Sequence, residues 1–374
     1  MTQPETPSGP ALTVVEPGDW GHLEYYPLVL EPPADYLRSS PYWKSHLTGT
    51  EWSFHQQSLD EVRRALTDAG LSPEAVDRLL ATAVVGPETG RIVIQPPEDV
   101  ILALDPVARE RLYNRIGPPD GPNPFSEPFG IDPRGFRVMA EGSRLSPESI
   151  DLISSLTFSR SKVKLFSDIA LVSARQATEA DRLILFGTLL RQPSTVMRLR
   201  LGPESDLPTI ADYWAAGGRN EGIRPLLQSM AASSAVDTID VIHLLPPTPR
   251  KLLNTFPSPM MSLGQSFPDC FWTAMNFFND EPSDRYLDSQ WLGDWLEEDY
   301  ETVQKPLRLG DVIVFIKTDD NKPLHACNYL AGDLIFTKNG LSLMKPWTVQ
   351  TIDDVLGTYL TEERVTVSFF RKRL

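Results

Sequence analysis

Ser266-Phe267-Pro268-Asp269-Cys270-Phe271-Trp272-Thr273-Ala274-Met275-Asn276-Phe277-Phe278 is the stretch on which the reading of this chain turns. Asp269 after Pro268 is an N-cap residue, so a helix is expected to start there with Cys270 in its first turn. Phe271, Ala274, Met275 and Phe278 form one apolar stripe, widened by Trp272 and Phe277, and such a helix belongs in a core. Unpaired amides at a helix start favour a thiolate, the nucleophilic form of cysteine. The Asp269 carboxylate opposes this, because a neighbouring negative charge raises a thiol pKa. Cys270 is therefore a candidate nucleophile, and its competing reading is a small inert core residue.

The downstream order of elements bears on that choice. Arg308-Leu309-Gly310-Asp311 is a turn entering the apolar run Val312–Phe315. After a polar hairpin come Leu324-His325-Ala326-Cys327-Asn328-Tyr329-Leu330, a Gly332-Asp333 turn, and Leu334-Ile335-Phe336-Thr337-Lys338-Asn339-Gly340. This reads as a helix followed by hairpin-linked strands, with the thiol on the helix and a histidine on a strand. A thiol nucleophile needs a base to take its proton and return it to the leaving group, and His325 is placed to be that base. Burial on a strand should raise the pKa of Cys327, whereas the helix start and His325 should lower that of Cys270.

Asp269-Cys270 opening a buried helix, Leu307-Arg308-Leu309-Gly310-Asp311 leading a strand, and His325 followed by Tyr329-Leu330 together resemble the papain-like cysteine hydrolases, in particular the NlpC-type cell-wall endopeptidases. The resemblance covers residues 260–374. It implies an α+β domain in which the helix packs on a small antiparallel sheet. It also implies amide hydrolysis through a thioester, with a peptide or peptidoglycan fragment as substrate and no cofactor. The third polar residue of such a site is Thr337 by register or Asn339 by chemistry, while Asn339-Gly340 is also a strong turn signal. Gln265 is the oxyanion candidate that the resemblance suggests. Phe271 and Trp272 stand where the family has small residues, and Ala331 replaces a glycine. Those bulky residues keep open a second reading, a non-catalytic binding module on the same scaffold. An acyltransferase or thioesterase using the same pair is a third.

The whole chain has 374 residues, enough for two or more domains. A net charge of −15 argues against nucleic acid as a partner, and Arg371-Lys372-Arg373 reads as a solvated tail. Two cysteines make no disulfide framework, and the five histidines show no metal-ligand spacing, so no metal is expected. His243, inside an apolar run, reads as a core histidine. The first 37 residues carry no Lys or Arg, unlike a secretory signal, and no run is long enough to span a membrane, so a cytoplasmic protein is expected.

Upstream of the thiol domain, residues 1–45 read as an irregular, proline-rich arm. Residues 46–245 read as a mostly helical domain of unknown role, a candidate surface for a protein partner. Its helix signals include the Ser58–Glu61 capping box and the Ser72-Pro73 and Ser146-Pro147 starts. Residues 246–259, with Pro246-Pro247-Thr248-Pro249 and Pro257-Ser258-Pro259, read as a linker into domain 260–374.

Overall fold

Leu30 and Gln192 are partners across an antiparallel strand pair, His22–Leu30 against Gln192–Arg200. Everything between them, Glu31–Arg191, forms a compact unit of its own. The second unit comprises the chain up to Leu30 together with Gln192–Leu374. The structure, a computed structural model, describes residues 12–40, 43, 49–86, 90–116, 124–160, 163–233, 236–261, 267–359 and 364–373. The fold is α+β, with several small antiparallel sheets, but the units divide the chain elsewhere than expected.

Two of the expected boundaries fail for the same physical reason, which is burial. Part of the supposed arm is strand: His22–Leu30 is the second strand of a four-stranded sheet, and Val15 and Leu23 enter the main core. The supposed linker is core as well. Pro247–Leu252 is a helix with Thr248 and Pro249 buried, and Leu253 belongs to the same apolar cluster as Cys270. Asn254 donates its amide to the Trp347 carbonyl (2.8 Å), and Trp347 donates back to Thr255 (3.1 Å), so this segment extends a sheet edge. Proline here starts a helix, where its missing N–H has no cost, instead of marking flexibility.

In the thiol-bearing unit, six strands run in the order Tyr300–Thr302, Val365–Lys372, Val312–Lys317, Pro323–Ala331, Leu334–Lys338, Trp347–Thr351. Each pairs antiparallel with its neighbour. One face carries Val312, Val314, Ala326, Leu334, Phe336 and Val349 against the helix Cys270–Met275. The other carries Ile313, Phe315, Cys327, Tyr329 and Ile335, packed with Val355 of the helix Ile352–Tyr359. Arg371 is no solvated tail: it lies in the closing strand and grips Asp311 through two hydrogen bonds, Nε–Oδ1 2.8 Å and Nη2–Oδ2 2.6 Å.

The Glu31–Arg191 unit contains the expected helices, Leu59–Asp68 with its capping box, Pro73–Ala81 and Pro147–Leu156 among them. It also has two three-stranded sheets, so this part of the chain is mixed, not mostly helical. Its core encloses an ion pair: Arg109 Nη1 donates to Asp168 Oδ2 (2.6 Å), and the Tyr113 hydroxyl donates to Asp168 Oδ1 (2.6 Å). Burial pushes the Asp168 carboxyl up to about 6, and the Arg109 charge opposes that rise.

Candidate functional site

The thiol helix starts where the residue order says it should. Asp269 Oδ1 accepts the Trp272 amide at 2.8 Å, and all six residues from Cys270 to Met275 are buried. Two side-chain bonds lock the helix to the sheet. Asn328 Nδ2 donates to the Ala274 carbonyl (3.1 Å), and Trp347 Nε1 donates to Thr273 Oγ1 (2.9 Å).

The Gly310-Asp311 turn has a structural explanation. Gly310 takes φ +83°, and a Cβ there would lie 2.2 Å from the Phe278 ring. Its amide donates to the Tyr329 carbonyl, and the Tyr329 amide donates back to Asp311, both at 2.8 Å. The Asp311 carboxylate also accepts the Arg308 amide (2.7 Å), so this residue ties the turn to the closing strand through Arg371.

Cys270 and His325 are brought to the same strand but approach it differently. The Cys270 sulfur lies against the backbone amide of Ala326, whose side chain joins the helix-facing cluster. Side chains alternate along a strand, so His325 leaves on the other face. There its ring packs against Phe315, with centroids 5.6 Å apart. His325 Nε2 is 2.8 Å from Thr337 Oγ1, which makes Thr337 the third polar residue of this group. Asn339 instead donates to Gln350 Oε1 (3.3 Å). Gln265 lies outside the described residues. His243 is exposed on a short helical turn, not a core histidine.

Electrostatics runs against the expected activation of the thiol. Cys270 is 6% exposed, and burial, reinforced by the Asp269 charge, pushes its pKa up to about 12 despite the Ala326 amide. Burial alone pushes His325 down to about 3, so its imidazole stays neutral in the folded protein. A first-turn position cannot offset full desolvation of a thiolate, because a lone anion in a low-dielectric core costs several kcal/mol. Cys327 is also pushed up by burial, as expected, so neither thiol is a thiolate near neutral pH.

One group that the residue pattern did not bring forward faces the thiol side. Lys338 closes the apolar strand Leu334–Lys338 and is fully buried. Its Nζ donates to the carbonyls of Gly340 and Ser342, the latter at 3.2 Å, and lies 5.9 Å from the Trp347 ring centre. Burial lowers its pKa to about 8, and the nearby Asp269 and Cys270 act the other way. A lysine two residues beyond the apolar run Leu334-Ile335-Phe336 was the available signal.

Other clefts lie away from this group. One of about 500 Å³, lined by Leu296, Glu297, Tyr300, Glu301 and Arg373, sits at the opposite edge of the six-stranded sheet. Among the described residues no His, Cys, Asp and Glu group is arranged to hold a metal ion, and no helix is long and apolar enough to cross a membrane. No family model matches the chain, and neither a curated protein nor a solved structure matches it.

Proposed function

We propose that the thiol-bearing unit acts as a non-catalytic binding module on a papain-like scaffold. One observation carries this reading: the sulfur is sealed against the Ala326 amide in its neutral form, while the imidazole is turned toward Phe315 and Thr337. Acyl transfer needs a nucleophile that substrate can reach and a base that can hold its proton. A thiol raised to about 12 and an imidazole lowered to about 3 supply neither near pH 7. Phe271 and Trp272, both buried, fill the space around the helix start. Alkylation tests the reading: native protein at pH 8 should leave Cys270 unmodified by iodoacetamide, and urea should expose it. Native Cys270 alkylated faster than the unfolded thiol at pH 6.5 would sink the reading.

The cysteine hydrolase remains the second reading, and the His325–Thr337 bond beside a thiol-bearing helix favours it. In that reading Cys270 attacks an amide of a peptide or cell-wall fragment, His325 carries the proton and Thr337 orients the ring. It requires the site to open. Hydrolysis of a peptide amide that is lost in both Cys270→Ala and His325→Ala would establish it over the first reading.

A further inference from the structure

The helix Leu292–Asp299 runs straight into Tyr300–Thr302, the outermost strand of the six-stranded sheet, and the cleft of about 500 Å³ opens along this junction. Leu296, Tyr300 and Phe370 give it apolar walls. On its inner side the strand is fully engaged. Glu301 stands opposite Arg371, the Arg373 amide donates to the Asp299 carbonyl (2.8 Å), and the Val303 amide donates to the Phe369 carbonyl (3.0 Å). Backbone groups of an antiparallel strand face its two sides alternately, so those of Tyr300 and Thr302 face outward. The Tyr300 amide turns back to the Leu296 carbonyl and closes the helix. The Tyr300 carbonyl and both backbone groups of Thr302 have no hydrogen-bond partner among the described residues.

The surroundings of this edge are acidic. Asp294, Glu297, Glu298 and Glu301 are all exposed. Among the described residues the only acid of the helix with an ion-pair partner is Asp299, which Arg285 holds. The last turn carries Glu297, Glu298 and Asp299 and no basic residue, an arrangement that the helix dipole disfavours. Arg371, facing Glu301, spends its guanidinium on Asp311. Arg373 is the only cation among the residues that line the cleft, and it donates to the carbonyls of Glu297 (2.9 Å) and Glu298 (2.8 Å). These charges select the occupant. A second copy paired about a two-fold axis through this strand would set Glu301 against Glu301, and like charges directly opposite destabilise a strand pair. A basic residue at that position has the opposite effect.

We propose that the edge Tyr300–Thr302 and its cleft bind an extended basic segment of a partner protein by strand addition. The segment's central residue, a lysine or arginine, lies opposite Glu301. Its two neighbours project to the other face, toward the cleft, and are apolar. Those neighbours make the backbone contacts: two of their amides donate to the Tyr300 and Thr302 carbonyls, and one of their carbonyls accepts the Thr302 amide. Capture at this edge needs no reaction at Cys270, so it stands or falls apart from both readings of the thiol.

Fluorescence anisotropy of a fluorescein-labelled Lys-Val-Lys-Val-Lys peptide, titrated with the full chain at pH 7, tests the site. The expected result is saturable binding. The same peptide N-methylated at both valines keeps every charge but loses two backbone donors, and should bind about tenfold more weakly or worse. Glu301→Lys, a change at an exposed side chain, should weaken the lysine peptide by about fivefold or more and admit Glu-Val-Glu-Val-Glu, which wild type rejects. Absence of saturable binding at about 1 mM protein overturns the site. So does equal binding of the N-methylated peptide, which would reduce the contact to attraction between net charges. An affinity for the lysine peptide that Glu301→Lys leaves unchanged places binding elsewhere and overturns it too.

Discussion

Acidification from pH 7 to pH 4.5 should remove about 2–3 kcal/mol from the thiol-bearing unit through His325 alone. The imidazole titrates near 6.5 in an unfolded chain and near 3 when folded, because burial disfavours its charged form. The folded state therefore binds fewer protons between these values. Its stabilising contribution is present above pH 6.5 and is lost as pH falls toward 3. At pH 4.5 the loss covers two units at about 1.36 kcal/mol each, less the few tenths already lost at pH 7. Asp269 and Asp168, whose pKa values burial raises, act in the opposite sense. The comparison is therefore with His325→Gln, which keeps a hydrogen-bonding side chain near Thr337 and cannot titrate. Both cysteines lie in this unit, so urea unfolding at pH 7.0 and 4.5 can be followed by trapping them with 4,4′-dithiodipyridine, which reacts with thiols even in acid. Wild type should lose about 2–3 kcal/mol more than the variant on acidification. Losses agreeing within about 0.5 kcal/mol, the size of ordinary surface effects, would show that His325 is not held neutral by burial.

Replacing Glu31–Arg191 by an Asn-Gly turn should leave a folded thiol-bearing unit, since Leu30 and Gln192 already face each other across a strand pair; protease-resistant, cooperative unfolding of that short chain is the check. Asp311→Asn leaves Arg371 without its anion and should cost about 2–4 kcal/mol in urea unfolding, because the pair is largely buried. Asp168→Asn should cost about 3–5 kcal/mol in the other unit, and the double change Arg109→Met with Asp168→Leu should recover much of it. Gly310→Ala should cost about 3 kcal/mol or more, combining a left-handed backbone with a collision against Phe278, read as a drop in Tm.

Local signals in the sequence were legible where the physics is local. The Asp269 cap, the capping box at Ser58–Glu61 and the proline starts at Pro73 and Pro147 each depend on residues within one turn, and each helix forms there. The apolar-rich runs at 312–315, 324–330 and 334–338, separated by turn signals, became neighbouring strands. The domain boundaries were not legible. The partner of Leu30 is Gln192, and the proline-rich stretch 246–259 is judged by what covers it, the core around Leu253 and Trp347. Neither fact has a trace within a window of local sequence.

The site divides the same way. Residue order alone determined that a thiol would open a buried helix and that a histidine would lie on a later strand, while leaving Thr337 and Asn339 both open as its polar neighbour. Tertiary structure decided which face His325 uses, how completely water is excluded from Cys270, that Thr337 and not Asn339 meets the imidazole, and that Lys338 is buried with its ammonium on backbone carbonyls. Helix and strand propensities act over a few residues. Desolvation is set by every atom that the fold packs around a group, and it is desolvation that raises this thiol and lowers this imidazole.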